Sequence, residues 1–206
     1  LRIPSWTRKA QVKVNGKRMK VSPVAGEYFR IERTWKNGDR VELVLPMHLT
    51  MRTWQVNKNS VSVNYGPLTL SLKIGEEFIR RDSRETAIGD SKWQKGADAE
   101  NWPSYEIHPT TAWNYALVLG EKDPLEGFEV VKKSWPSDNF PFTPGNVPLE
   151  VKAQGRRIPS WKIDKYGLCA VLPETDAPKS PQIENITLIP MGAARLRISA
   201  FPAVSE

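Results

Sequence analysis

The sequence predicts an all-β fold: two consecutive antiparallel β-sandwich domains with little helix. Three observations carry this expectation. Apolar and polar residues alternate at period two in one run after another, as in half-buried strands. Seventeen Pro and thirteen Gly among 206 residues punctuate those runs and leave little room for long helices. A hydrophobic content of 39 %, with eight Trp, is enough to build a core at this length.

The runs can be justified in order. In "AQVKVNGKRMKV", Val12 and Val14 face one way, Gln11 and Lys13 the other. Asn15-Gly16 then supplies the positive φ angles of a tight hairpin turn. "YFRIERTW" alternates Phe29 and Ile31 with Arg30 and Glu32, and "KNGD" (Lys36 to Asp39) makes the next turn. "RVELVLP" follows with Val41, Leu43 and Leu45 on one face, then "LTMRTWQ", "SVSVNYG" and "LTLSLKI". About seven strands by residue 74 suit a sandwich of two antiparallel sheets.

The alternation then stops. Beyond Gly75 the chain is polar and charged, with Ile79 to Ile88 as a short helix at most. A structureless stretch of this length inside a compact domain reads as a linker or a functional loop. Alternation resumes with "WNYALVL", "FEVVKKS", "VPLEVKA", "LCAVLP", "ENITLIP" and "RLRISAF", separated by Pro-rich turns. The expected division is a first sandwich over residues 1–80 and a second over 81–206, opening with a long polar excursion at about 81–111.

The pentapeptide RIPSW occurs twice, at Arg2–Trp6 and Arg157–Trp161. The sequences beyond the two copies do not align, so a repeat array is not indicated. Each copy reads as a strand-end device: the residue before Pro is held extended, Pro ends the ladder, and Trp covers the edge of the core.

Several function classes fall away. Walker and nucleophile-elbow motifs are absent. His48, His108 and Cys169 are too scattered for a zinc motif. Cys169, within the apolar "GLCAVLP", reads as a small core residue, and a single cysteine rules out an internal disulfide. The acid pairs Glu76-Glu77 and Asp82-Glu85 read as solvated charges rather than a glycosidase pair. The net charge is +7, but the basic residues are dispersed and no aromatics interleave those from Arg8 to Lys20, so a nucleic-acid surface is not expected. No apolar run is long enough to span a membrane.

The aromatics leave a choice open. Trp93, Trp102 and Trp113 lie in or beside the polar excursion and Trp135 sits in the loop "KSWPSDNFPF". Exposed indoles stack on sugar rings, which makes Trp93, Trp102 and Trp135 candidate carbohydrate-binding residues. The alternative is that these rings fold back and plug the ends of the sandwiches.

The phrases "LRIPSW", "VKVNG", "YFRIERTWKNGDRVELVLPM", "VNYGPLTLSL", "AWNYALVL" and "ITLIPMGAARLRISAFP" occur in that order. As a set, over residues 1 to about 202, they resemble the C-terminal β-sandwich region of bacterial β-L-arabinofuranosidase-like glycoside hydrolases, family 127. The resemblance implies an N-terminal (α/α)6 catalytic barrel that carries the cysteine nucleophile, the catalytic glutamate and the zinc site, followed by two β-sandwiches. This chain matches the sandwiches only, so no catalytic residue, metal site or cofactor is carried over onto it, and Leu1 reads as lying just after the barrel. The implied role is a non-catalytic module that packs on and stabilises the barrel of the same polypeptide. The alternative is a carbohydrate-binding module for an acidic plant cell-wall polysaccharide. By the same resemblance the parent enzyme is expected to be periplasmic or extracellular; no nucleic-acid or membrane partner is expected from the charge and hydropathy of the chain.

Overall fold

The structure, a computed structural model, describes residues 1–82 and 100–205. It is all-β, with one short 3-10 turn at Met191–Ala193 among the described residues. Trp93 and Ile88 lie outside the described residues.

The first 47 residues build a small sheet of their own. Strands β1 (Gln11–Val14), β2 (Lys17–Arg18) and β3 (Val41–Val44) pair in the order β2-β1-β3. The β1–β2 turn forms as expected, with φ of 52° at Asn15 and 76° at Gly16. Its tip is fastened to the "KNGD" turn: Asn15 donates to Asp39 at 2.7 Å, and the Arg40 amide donates to Asn15 at 2.8 Å. Ile3, Ala10, Val12 and Phe29 form the core of this unit. "YFRIERTW" is not a regular strand. Its partner is the start of the chain, which offers only a short ladder: Phe29 and Leu1 exchange backbone bonds, and Arg2 bridges Tyr28. Phe29 is buried all the same.

The remaining strands form a large sheet and a ribbon. Strands β4 (Leu49–Trp54), β5 (Ser60–Tyr65) and β6 (Leu68–Leu72) run as an antiparallel meander. A two-stranded ribbon follows, β7 (Glu76–Arg81) against β8 (Ser104–Pro109). Then come β9 (Tyr115–Leu119), β10 (Glu129–Lys132), β11 (Leu149–Arg157), β12 (Ile183–Pro190) and β13 (Ala203–Ser205). The large sheet has the order β13-β9-β11-β12-β6-β5-β4, with β10 also on β11. The break in hydrogen bonding therefore falls between β3 and β4, and β6 pairs with β12 across the division expected at residue 80. Alternation marks strands but does not say which of them pair.

The large sheet is closed by a segment expected to be a strand. β5 and β6 pair only near their hairpin, at Asn64↔Thr69 and Tyr65↔Leu68. Residues 198–201 enter the gap beyond: the Leu72 amide donates to the Ile198 carbonyl, and Val61 and Phe201 exchange both backbone bonds at 2.8 and 2.9 Å. The chain continues into β13, which pairs parallel with β9. The strand path thus returns on itself around one core that includes Val63, Leu70, Leu117, Val151, Leu188 and Phe201.

Two expectations meet corrections. Residues 76–81, where a short helix was expected to begin, are a strand, because Phe78 and Ile79 find cross-strand partners in Ile107 and Glu106. "LCAVLP" is irregular, with one bridge from Cys169 to Ile163, and Cys169 is exposed rather than in the core. Its thiol pKa is nevertheless pushed up, chiefly by partial burial. The repeated pentapeptide behaves as a strand-end device in its second copy: β11 stops at Arg157, Ile158 and Trp161 are buried, and Trp161 donates to the Ala170 carbonyl and meets Trp113 edge-on at 5.2 Å. In the first copy Ile3 is buried and Trp6 half-buried.

The connection between β3 and β4 passes the β5–β6 turn closely at one point that a substitution can probe. Gly66, at the β5–β6 turn, has a φ of +57°, and a Cβ there would lie 2.6 Å from Met47 Cγ and 3.0 Å from Met47 Cβ. Gly66→Ala is expected to cost about 1–2 kcal/mol from left-handed strain, plus the displacement of Met47. Chemical denaturation should show Met47→Ala recovering the second part only. Full recovery would mean that backbone strain contributes nothing.

Candidate ligand-binding surface

Two grooves adjoin on the outer surface of the large sheet and share Lys73 and Thr111. The first, about 480 Å3, runs from Lys73 past Glu76 to Phe78, with Pro144 and Gly145 opposite. The second, about 430 Å3, is lined by Lys73, Thr111, Asn185, Thr187, Arg157 and Tyr115. Both lie within the roughly 300–1,000 Å3 typical of small-ligand sites. The place where they meet is fixed by Gly75. A Cβ on Gly75 would lie 2.3 Å from Thr110 Oγ1, so only glycine lets the base of the ribbon cross this closely. The crossing is sealed by Thr110 N–H to the Gly75 carbonyl and Gly75 N–H to Thr111 Oγ1, each 2.8 Å. Glu76 accepts the amides of Arg195 and Leu196 at 2.8 and 3.0 Å, so its carboxylate is committed to holding the chain after β12.

Beneath the junction lies a charge cluster. Glu150 alternates with the core residues Leu149 and Val151 on β11 and so points to the outer face. Its side chain is 5 % exposed, and three ammonium groups converge on it: Lys133 at 2.7 Å, Lys73 at 2.8 Å and Lys152 at 3.4 Å. Burial pushes the Glu150 pKa up, but the hydrogen bonds and charges of Lys133 and Lys73 outweigh it and hold the carboxyl at about 2. The lysines are one-third to one-half exposed, at 34 % for Lys73, 42 % for Lys133 and 48 % for Lys152. Lys152 also donates to Thr187 Oγ1 at 3.0 Å.

The far end of the second groove is electrically closed. Arg157 grips Glu184 with both Nε (2.7 Å) and Nη2 (2.9 Å), and the Tyr115 hydroxyl donates to the same carboxylate at 2.8 Å. The Arg157 hydrogen bond, first of all, lowers the Glu184 pKa; burial, first of all, raises that of Tyr115.

These environments do not resemble those of a glycosidase acid. Such an acid needs a raised pKa, whereas every described carboxyl with a displaced pKa, Asp39, Glu106, Glu150 and Glu184, is shifted down. Among the described residues, no three His, Cys, Asp or Glu side chains converge as metal ligands.

The tryptophans named from the sequence are not part of these grooves. Trp102, 75 % exposed, precedes β8, and Trp135, 61 % exposed, lies in the loop before β11 with its Nε1 donating to Asn139 at 2.6 Å. Neither plugs a sandwich end, whereas Trp113 does pack inward, on Trp161. The ring that lines the first groove is Phe78, half-exposed and edge-on to Tyr105 at 6.3 Å. Sequence reading missed the Glu150 cluster. Its only local sign was an acid within the apolar run of "VPLEVKA" with Lys152 two residues on, because Lys73 and Lys133 come from distant strands.

Comparison with known proteins extends this picture. A sequence model of a known family, described as Beta-L-arabinofuranosidase, GH127 middle domain, matches residues 1–47, which coincide with the small sheet. A solved structure titled "Glycoside hydrolase" superposes with a TM-score of 0.53 over 98 % of this chain and 27 % of its own, at 20 % identity. A GH127 β-L-arabinofuranosidase from Geobacillus stearothermophilus superposes with a TM-score of 0.50 over all of this chain and 26 % of its own, at 18 % identity. No curated protein matches the sequence. The chain spans about a quarter of the length of these solved structures. The resemblance read from the sequence is thereby shown: the small sheet matches the middle domain of the family 127 arabinofuranosidases, and the chain as a whole shares its fold with solved glycoside hydrolases.

Proposed function

We propose that the chain is a non-catalytic β-module of a longer, exported glycoside hydrolase acting on arabinofuranoside-type plant glycans, and that it packs on and stabilises the catalytic domain of the same polypeptide. The observation that carries this reading is the mismatch between core and surface in residues 1–47. Four residues form the buried core of this unit, while Val24, Tyr28, Trp35, Val44 and Met47 are exposed, Tyr28 to 80 %. A unit of this size without a disulfide is marginal by itself. Large exposed apolar side chains mark a surface that gains from being covered, at roughly 25 cal/mol per Å2 of apolar area removed from water.

The test compares two contexts. In the isolated chain, Tyr28→Ala and Trp35→Ala are expected to change stability by no more than about 0.5 kcal/mol each, as exposed substitutions do. In the full-length polypeptide the same changes are expected to lower the melting temperature of the catalytic domain by several degrees. Equal small effects in both contexts would remove the basis for a docking face. A second reading, binding of an acidic glycan by the module itself, is favoured by the lysine cluster between the two grooves.

A further inference from the structure

We propose that the two grooves meeting at Lys73 form one binding site for an anionic oligosaccharide. A sugar carboxylate would be held by Lys73 and Lys152, and a sugar face would lie on Phe78. The ligand class rests on the glycan setting of the proposed function; the charge argument stands on geometry alone.

The first argument is an excess of charge at a fixed point. Glu150 neutralises one of the three ammonium groups that surround it. Its own burial holds it in place, so it positions the lysines without quenching them. Each ammonium carries three donors. Of those nine, the bonds to Glu150 (three) and Thr187 (one) use four. Lys73 lines both grooves, and Lys152 is tied to Thr187 on the wall of the second. An anion at the junction would therefore meet ammonium groups that are already oriented, which reduces the cost of ordering them.

The second argument concerns the rest of the lining. Thr111, Asn185 and Thr187 present hydroxyl and amide groups suited to sugar hydroxyls. Phe78 offers a half-exposed ring at the other end, and apolar ring faces pack on the C–H face of a pyranose. Arg157 is already paired bidentately with Glu184 and adds no uncompensated charge. The positive potential is thus confined to one point along the trough. A nucleic acid, with a charge on every residue, would need a line of cations and several stacking rings. A uronate-bearing glycan fits a single cationic point flanked by neutral polar groups and one ring.

The experiment is calorimetric titration of the complete 206-residue chain with trigalacturonate and with a neutral arabinotriose, followed by variants. Trigalacturonate is expected to bind and the neutral sugar to bind at least tenfold more weakly. Lys152→Gln should weaken trigalacturonate roughly tenfold, the scale of one charge-assisted hydrogen bond. Lys152 is half-exposed, so this variant should fold, and its melting curve would verify that. Phe78→Ala should weaken both sugars by a similar factor. Arg30→Gln, at an exposed pair with Glu32 in the irregular segment before β3, should leave binding unchanged. The proposal is overturned if trigalacturonate gives no heat, if Arg30→Gln weakens it as much as Lys152→Gln, or if a short oligonucleotide binds more tightly at the same salt. Loss of this binding with the docking test intact would remove this site alone. Binding with no docking effect would remove the accessory reading and keep the site.

Discussion

Phe201→Ala is expected to be among the most damaging single substitutions in the chain, lowering stability by about 3–5 kcal/mol. Phe201 is fully buried in the main core, and its backbone exchanges two hydrogen bonds with Val61. Truncation leaves a cavity at the point where residues 198–201 wedge between β5 and β6 and where the chain enters β13. The backbone bonds survive the substitution in principle, but the side chain that seats the segment is gone. The expected loss in melting temperature is on the order of ten degrees for a chain of this size. Urea denaturation gives the free energy directly. A loss below about 1 kcal/mol would mean that the 198–201 segment does not close the sheet. Hydrogen exchange at the Leu72 and Val61 amides, whose partners are Ile198 and Phe201, should accelerate together in the variant.

The second large effect belongs to Glu150. Glu150→Gln keeps the volume but leaves three ammonium groups around a neutral amide. Breaking a buried ion pair from one side costs about 3–5 kcal/mol; because the lysines are partly solvated, the lower end, about 3 kcal/mol, is expected. The pH dependence has a definite sign. The folded-state pKa of about 2 lies below the ordinary 4.5, so between these values the unfolded chain binds more protons than the folded one. The stabilisation is then fully present above about pH 5 and is lost as pH falls towards 2. A displacement of this size corresponds to about 3 kcal/mol, in line with the substitution. Denaturation at pH 6, 4 and 2.5 should show the wild-type chain converging on Glu150→Gln as pH falls. Parallel curves would assign the acid sensitivity to other carboxyls, with Glu184, also shifted down, as the next to substitute.

The all-β character was legible because alternation is a local property. "SVSVNYG" and "WNYALVL" became β5 and β9 almost residue for residue. Pairing was not legible. Leu70 and Leu188 read as ordinary strand residues, and nothing local says that β6 lies beside β12 more than a hundred residues away. "RLRISAF" alternates like a strand, yet it is placed by two partners, Leu72 and Val61, that splay from each other. The ribbon of β7 and β8 was hidden because its faces carry Arg80, Arg81, Glu106 and His108, so hydropathy reads it as a loop. The Glu150 cluster was hidden for the same reason as the pairing: four residues from β10's end, β11 and β6's end converge only after the sheet has formed.

The proposed role is to support a catalytic partner without performing hydrolysis. Its most direct test is turnover of an aryl β-L-arabinofuranoside by the purified 206-residue chain. The expected result is no release of the aryl group above the buffer blank. Release that persists through repeated purification, and that is abolished by substituting a carboxylate of this chain such as Glu76 or Glu184, would contradict it.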